Sequence, residues 1–223
     1  STNVGGGTQR TPQVRYAHKL APETQLFIAA EEGGSKGDGI KYRMPALTAK
    51  VTHKFAEGKA EASGRALIEN YKSDTAGDDE FGYGLAAGVN YTVSDPLKVS
   101  ADVTYVKGNS NYLYGSNTAY VLDGTNDIEQ NEAIGVQVGG TYKISPKLRT
   151  TLAYGAVFAD DGTEYASLNT SGNEKVQQAW ANLIYTPVKP VDLGVEYVNG
   201  KRETFAGQSF KDNRVGLMAK YHF

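Results

Sequence analysis

Arg15, Lys50, Arg65, Lys98, Arg149, Arg214 and Lys220 stand at alternate positions of segments in which apolar and polar residues trade places, and Asp102 and Glu196 hold equivalent positions. Side chains at every second position of a strand point to one face, so these charges are expected to share one wall. Arg15 and Lys50 fall near mid-strand, Arg65 joins them if the polar face of its strand points inward, and Asp102 and Glu196 lie at similar height on other strands. Charges so placed do no covalent chemistry. A basic arc facing an acidic one sets a field across an aqueous passage, and low-dielectric walls concentrate that field. Rings of charge are a source of pore selectivity, and Arg can grip a carboxylate through two parallel hydrogen bonds. The bland alternative is that the charges pair with each other and only solvate a wide lumen.

Residues for covalent chemistry are sparse: three His and no Cys. A barrel hydrolase would need a Ser–His or Asp–His pair on an exposed rim. His18, His53 and His222 all fall beside short turns, and His18 and His53 take outward positions that Tyr holds elsewhere. Anchoring is the expected role, so no catalytic residue is nominated. The acidic stretches "DTAGDDE" and "ADDGTE" offer oxygen ligands suited to hard cations but lack the spaced calcium-loop pattern, and "VGGGTQR" lacks the GK[ST] ending of a phosphate loop. No metal and no cofactor are expected. A formal net charge of −2 argues against a nucleic-acid partner, which selects for a basic surface.

The elements that must hold these charges are strands. "LRTTLAYGAVF" sets Leu148, Thr150, Leu152, Tyr154, Ala156 and Phe158 on one face, and "LKVSADVTY" and "RVGLMAKYHF" alternate in the same way. Alternation sustained this long specifies strands with one apolar and one polar face. Eleven such segments are expected, at 12–20, 24–32, 45–55, 59–71, 81–93, 97–107, 132–144, 148–159, 175–187, 191–203 and 212–223, with one helical turn allowed within "TNDIEQNEA". Restarting after "AEGK", the fourth segment sets Ala60, Ala62, Gly64, Ala66 and Ile68 against Glu61, Ser63, Arg65 and Glu69, one step out of phase with the others. There is no apolar run long enough for a transmembrane helix, and mean hydropathy is −0.46. A membrane barrel with a polar lumen has the same profile.

Short connections alternate strictly with long polar ones, as in outer-membrane barrels, where short turns face the periplasm and long loops the outside. Of the long loops, "NYLYGSNTAY" is the aromatic one, suited either to fold inward as a constriction or to serve as a binding surface. Tyr91, Tyr142 and Tyr185 each precede a tight Pro-bearing turn, and the outward face restarts at Leu97, Leu148 and Val191, six residues on. A Tyr ring is apolar while its hydroxyl stays wet, which suits a membrane interface. Tyr91, Tyr142, Tyr185, Tyr221 and Phe223 are therefore assigned as interface aromatics. Trp180 shares the inward parity of Gln178 and Asn182.

The fold class expected is all-β: a transmembrane antiparallel up-and-down β-barrel, with residues 1–223 as one barrel domain. Single-chain bacterial barrels have an even number of strands. Eleven is odd, which points to an N-terminally trimmed chain of a larger pore. The phrases "RTPQVRYAHKL", "VQQAWANLIYTPVKPVDLGVEYVNGKRET" and "DNRVGLMAKYHF" resemble the C-terminal portion of the DcaP-like porins. That resemblance implies a 16-stranded trimeric diffusion porin preceded by a coiled coil, with small anions, dicarboxylates in particular, as solutes. The partners implied are outer-membrane lipid, two further copies in a homotrimer, and small anionic solutes. An outer-membrane barrel hydrolase and a plugged structural or adhesive barrel are the rival readings.

Overall fold

The computed structural model describes residues 4–6 and 12–223. Eleven strands follow one another as an antiparallel meander: β1 (Gln13–Ala21), β2 (Thr24–Glu31), β4 (Ala46–Phe55), β5 (Ala60–Ser73), β6 (Asp79–Thr92), β7 (Leu97–Lys107), β10 (Glu132–Ser145), β11 (Leu148–Ala159), β12 (Asn173–Val188), β13 (Val191–Thr204) and β14 (Ser209–Tyr221). The remaining elements belong to long loops. The strand β3 (Ile40–Tyr42) pairs with the upper end of β5, β8 (Tyr120–Leu122) and β9 (Ile128–Gln130) form a hairpin, and α1 (Glu164–Leu168) is a single short helix. The architecture is that of an up-and-down β-barrel wall. Among the described residues β1 and β14 each have one hydrogen-bonded neighbour. Hydrocarbon tolerates no unpaired strand edge, so both edges must be paired in a bilayer.

The register carries the alternation across the whole sheet. Tyr142 lies opposite Leu97 and Thr150, Val138 opposite Ala101 and Tyr154, and Leu152 opposite Ala181, which faces Tyr197. These residues form the apolar face, where Leu152, Leu193 and Val138 are exposed as lipid-facing side chains must be. Tyr91, Tyr142, Tyr185 and Tyr221 share that face close to the short turns, and Phe223 follows β14 fully exposed.

The out-of-phase fourth segment has a local cause. Residues 56–59 make a four-residue loop with positive φ at Ala56, Glu57 and Gly58, and Phe55 pairs directly with Ala60. Partners five apart invert the parity that the other short-turn hairpins keep, so Glu61, Ser63, Arg65 and Glu69 do belong to the polar face. In two of the other turns the proline carbonyl accepts from the strand beyond: Lys143 N–H to Pro96 O at 2.8 Å and His222 N–H to Pro190 O at 2.7 Å. Proline there fixes φ while its missing N–H goes unneeded.

The allowed helical turn at 125–133 is not formed. Asp123 Oδ1 accepts from the N–H of Thr125 (2.8 Å) and Asp127 (2.9 Å), Asn126 takes φ +63°, and this Asx-type turn starts β9. The helix forms instead at Glu164, where Thr163 caps it by accepting from Ala166 N–H at 3.1 Å.

Candidate functional site

The polar face gathers six of the nine nominated charges into two groups. Lys50 and Arg65 are direct cross-strand partners, and Phe27 faces Lys50 from β2. Arg15 on β1 places its guanidinium 5.4 Å from the centre of the Phe27 ring, a cation–π contact. Three cations therefore stand on the polar face of β1, β4 and β5, with Arg15 level with Thr48 in the register, two residues along β4 from Lys50. They line a cavity of about 300 Å³ together with Phe27, Glu31 and Tyr112.

Asp102 does not face this arc from across the lumen, as its height alone suggests. Its carboxylate turns back over β6 and forms an ion pair with Arg65, while Thr104 Oγ1 donates to its other oxygen at 3.2 Å. Gly88 opens the route: it is Asp102's register partner, and a Cβ there would stand 2.5 Å from Asp102 Oδ2. Glu196 lies on β13 between Asn182 and Gly216, and Arg214 lies opposite Val198. The wall here is a basic arc with Asp102 and Glu31 folded into it, not two opposed arcs.

The second group sits at the short-turn rim. Asp192 accepts from Thr186 Oγ1 at 2.5 Å, from Arg149 Nη2 at 3.2 Å, and meets His222 Nε2 at 3.0 Å. Its register partner on β14 is Lys220. This cluster ties β11, β12, β13 and the residues after β14 into one clasp, which holds Arg149 at the rim. Lys98 is exposed beside the β6–β7 turn. His18 and His53 stay on the apolar face: His18 stacks on Tyr16, and His53 Nδ1 lies 2.9 Å from Thr24 Oγ1. The Asp192–His222 pair also engages Arg149 and Thr186.

Two long loops complete the site from above. Residues 108–119 fold down onto the polar face, where Leu113 is fully buried and Tyr112 lies against Gly84. The inward alternative for "NYLYGSNTAY" is the one adopted. Glu69, 2% exposed, accepts from Ser35 Oγ at 2.5 Å and from Asn109 Nδ2 at 3.0 Å. It thus binds the β2–β4 loop and the inward loop to the same strand. Ser110 N–H donates to Ser35 Oγ at 3.1 Å, Lys36 N–H to Ser110 Oγ at 2.6 Å, and Tyr71 OH to Gly108 O at 2.7 Å. Trp180, 9% exposed, keeps its inward parity between Ala153 and Val198.

The outer loops carry the acids. Hydrogen bonds from the Asp127 backbone and from Thr125 hold the Asp123 carboxyl below its ordinary value. Burial and the neighbouring Asp123, Glu164, Asp127 and Glu80 push Glu129 up.

Phe27, Tyr112 and Glu69 belong to the site without having been nominated from the sequence. A readable signal is present in "FGYGLAAG", where Gly82, Gly84 and Gly88 all fall on the polar face of β6. A wall stripped of side chains at alternate positions marks where something leans on it.

The sequence matches the family model described as DcaP outer membrane protein over residues 1–223. A search of curated proteins found no match. Among solved structures the chain is similar to the crystal structure of the outer membrane channel DcaP of Acinetobacter baumannii, at 65% identity and a TM-score of 0.97, covering 100% of this chain and 65% of that one. It also resembles OmpT, an outer membrane protein of Vibrio cholerae, at 15% identity and TM-score 0.61, covering 95% of this chain and 64% of that chain. An anion-selective porin from Comamonas acidovorans gives 10% identity and TM-score 0.62, covering 93% of this chain and 57% of that chain. The last two likenesses are of fold alone. The chain spans 65% of the length of the DcaP channel it matches.

Proposed function

The chain belongs to the DcaP outer membrane protein family of the bacterial outer membrane, and from that premise we propose that it forms the wall of a water-filled diffusion channel favouring small anions, dicarboxylates among them. The observation that carries the anion preference is the arc of Arg15, Lys50 and Arg65 around one cavity. Neighbouring cations attract an anion that has shed part of its hydration, and Arg65 beside Lys50 offers two charges to the two ends of a dicarboxylate. Conduction is passive, with no covalent step. Tyr91, Tyr142, Tyr185, Tyr221 and Phe223 anchor the wall at the periplasmic interface, and assembly as a homotrimer belongs to the same reading, on the strength of family membership.

Competition tests the solute class. Millimolar succinate added to one side of a planar bilayer should reduce chloride current through the channel, and the neutral analogue succinamide at equal concentration should not. Equal effects of the two would remove the dicarboxylate preference.

A further inference from the structure

Val4–Gly6 lies on the polar face of β10 and β11, packed between that wall and the inward loop. Val4 is 6% exposed and belongs to an apolar cluster with Val106, Leu113, Ala133, Val157 and Ala159. Gly5 N–H donates to Tyr114 O at 3.2 Å, Tyr114 N–H donates to Gly6 O at 3.0 Å, and Gln137 Nε2 donates to Val4 O at 3.3 Å. The first two bonds tie the segment to the loop tip through main-chain groups on both sides.

The wall is cut to receive this pair. A Cβ on Gly155 would overlap Val4 O, and one on Gly135 would overlap Leu113 Cδ1 and stand 3.1 Å from Gly5 O. Gly5 itself has φ +79°, and its Cβ would overlap Val136 O. Glycine is required by space at Gly135 and Gly155, and by both space and backbone conformation at Gly5. Beside the segment lies a polar cavity of about 240 Å³, lined by Gly6, Ser63, Arg65, Asn90, Asp102 and Gln137.

We infer that Val4–Gly6 and Tyr112–Gly115 together form a two-part eyelet on the lumen wall, and that this eyelet sets the size limit of the pore. A solute crossing it passes the Arg65–Asp102 pair through an opening whose near edge is backbone. The chemistry favoured is a small polar solute able to exchange water for main-chain and charged side-chain hydrogen bonds. The inference rests on the channel reading.

Gly155→Val separates the eyelet from a bare wall. On a bare wall the added side chain narrows the lumen, so conductance falls or stays level. With the eyelet, the added isopropyl group collides with Val4 O and expels the segment, so single-channel conductance rises by about 1.5-fold or more and larger neutral sugars pass. Gly216→Val, on the same face with nothing within 4 Å of its Cβ, should not raise conductance. Val4→Asp reaches the expelled state without altering the wall, because a carboxylate does not remain in an apolar cluster.

The chain has no Cys, so Val4→Cys reports the seat by itself. It should resist a membrane-impermeant methanethiosulfonate reagent and become reactive when combined with Gly155→Val. Rapid labelling of Val4→Cys alone would overturn the inference. So would conductance that Gly155→Val and Val4→Asp leave unchanged or lower. Absence of current from every variant, the parent included, would instead overturn the channel reading.

Discussion

Arg65→Glu should lower the anion-to-cation permeability ratio roughly tenfold, and Asp102→Asn should raise it. Arg65 is the arc's link to an acid of the wall: it lies beside Lys50 and bonds Asp102. Reversing it changes the local charge by two units and leaves two carboxylates facing each other. At separations of several ångström in a partly aqueous passage, each unit alters an ion's energy by somewhat under about 1 kcal/mol. Two units therefore approach the roughly 1.4 kcal/mol that corresponds to about tenfold. Asp102→Asn works in the other direction, because the Arg65 charge is no longer offset. A ratio that moves the same way in both variants would show that the pair acts through structure and not through its field.

Glu69→Ala should release the loops above the arc while leaving the strands in place. Ser35 Oγ and Asn109 Nδ2 both donate to this buried carboxylate, and each donor stranded without an acceptor costs about 1–3 kcal/mol. A loss of about 3 kcal/mol from the loop–wall contact is on the order of a hundredfold in opening equilibrium. Amide exchange measures it directly. Lys36, Ser110 and Ala119, whose N–H groups bond within the knitted loops, should exchange about a hundredfold faster. The ladder amides of β10 and β11 should not change. The same variant should show noisier current, since the inward loop is tethered at one fewer point. Unchanged exchange at those three amides would mean that Glu69 is incidental to the loop's seat.

The strands were legible because period-two alternation is a local property with a single structural solution. Leu148 through Phe158 could only be a strand, and it became β11 (Leu148–Ala159). The polar face was legible for the same reason, including that of β5, whose phase follows from the length of the loop at 56–59. Parity stops at the backbone, however. It puts Asp102 on the right face without saying that its carboxylate crosses Gly88 to reach Arg65, because that direction depends on a glycine one strand away. Phe27 was hidden in "LFIAA", where consecutive apolar residues blur which one turns inward. Parity has no hold on the loops. The turn at Asp123–Asp127 was decided by side-chain-to-backbone hydrogen bonds, which replaced the helical turn with a hairpin. The seat of Leu113 and Val4 depends on Gly135 and Gly155, residues distant in sequence that read on their own as weak points of a strand.

The central claim is a water-filled passage whose wall favours anions. It is tested most directly by the zero-current potential of the protein in a planar bilayer under a roughly tenfold potassium chloride gradient. The account predicts stable single channels and a potential whose sign marks chloride as the more permeant ion, moving toward zero in Arg65→Glu. A potential of the opposite sign in the parent protein, or folded protein that inserts without conducting, would contradict it.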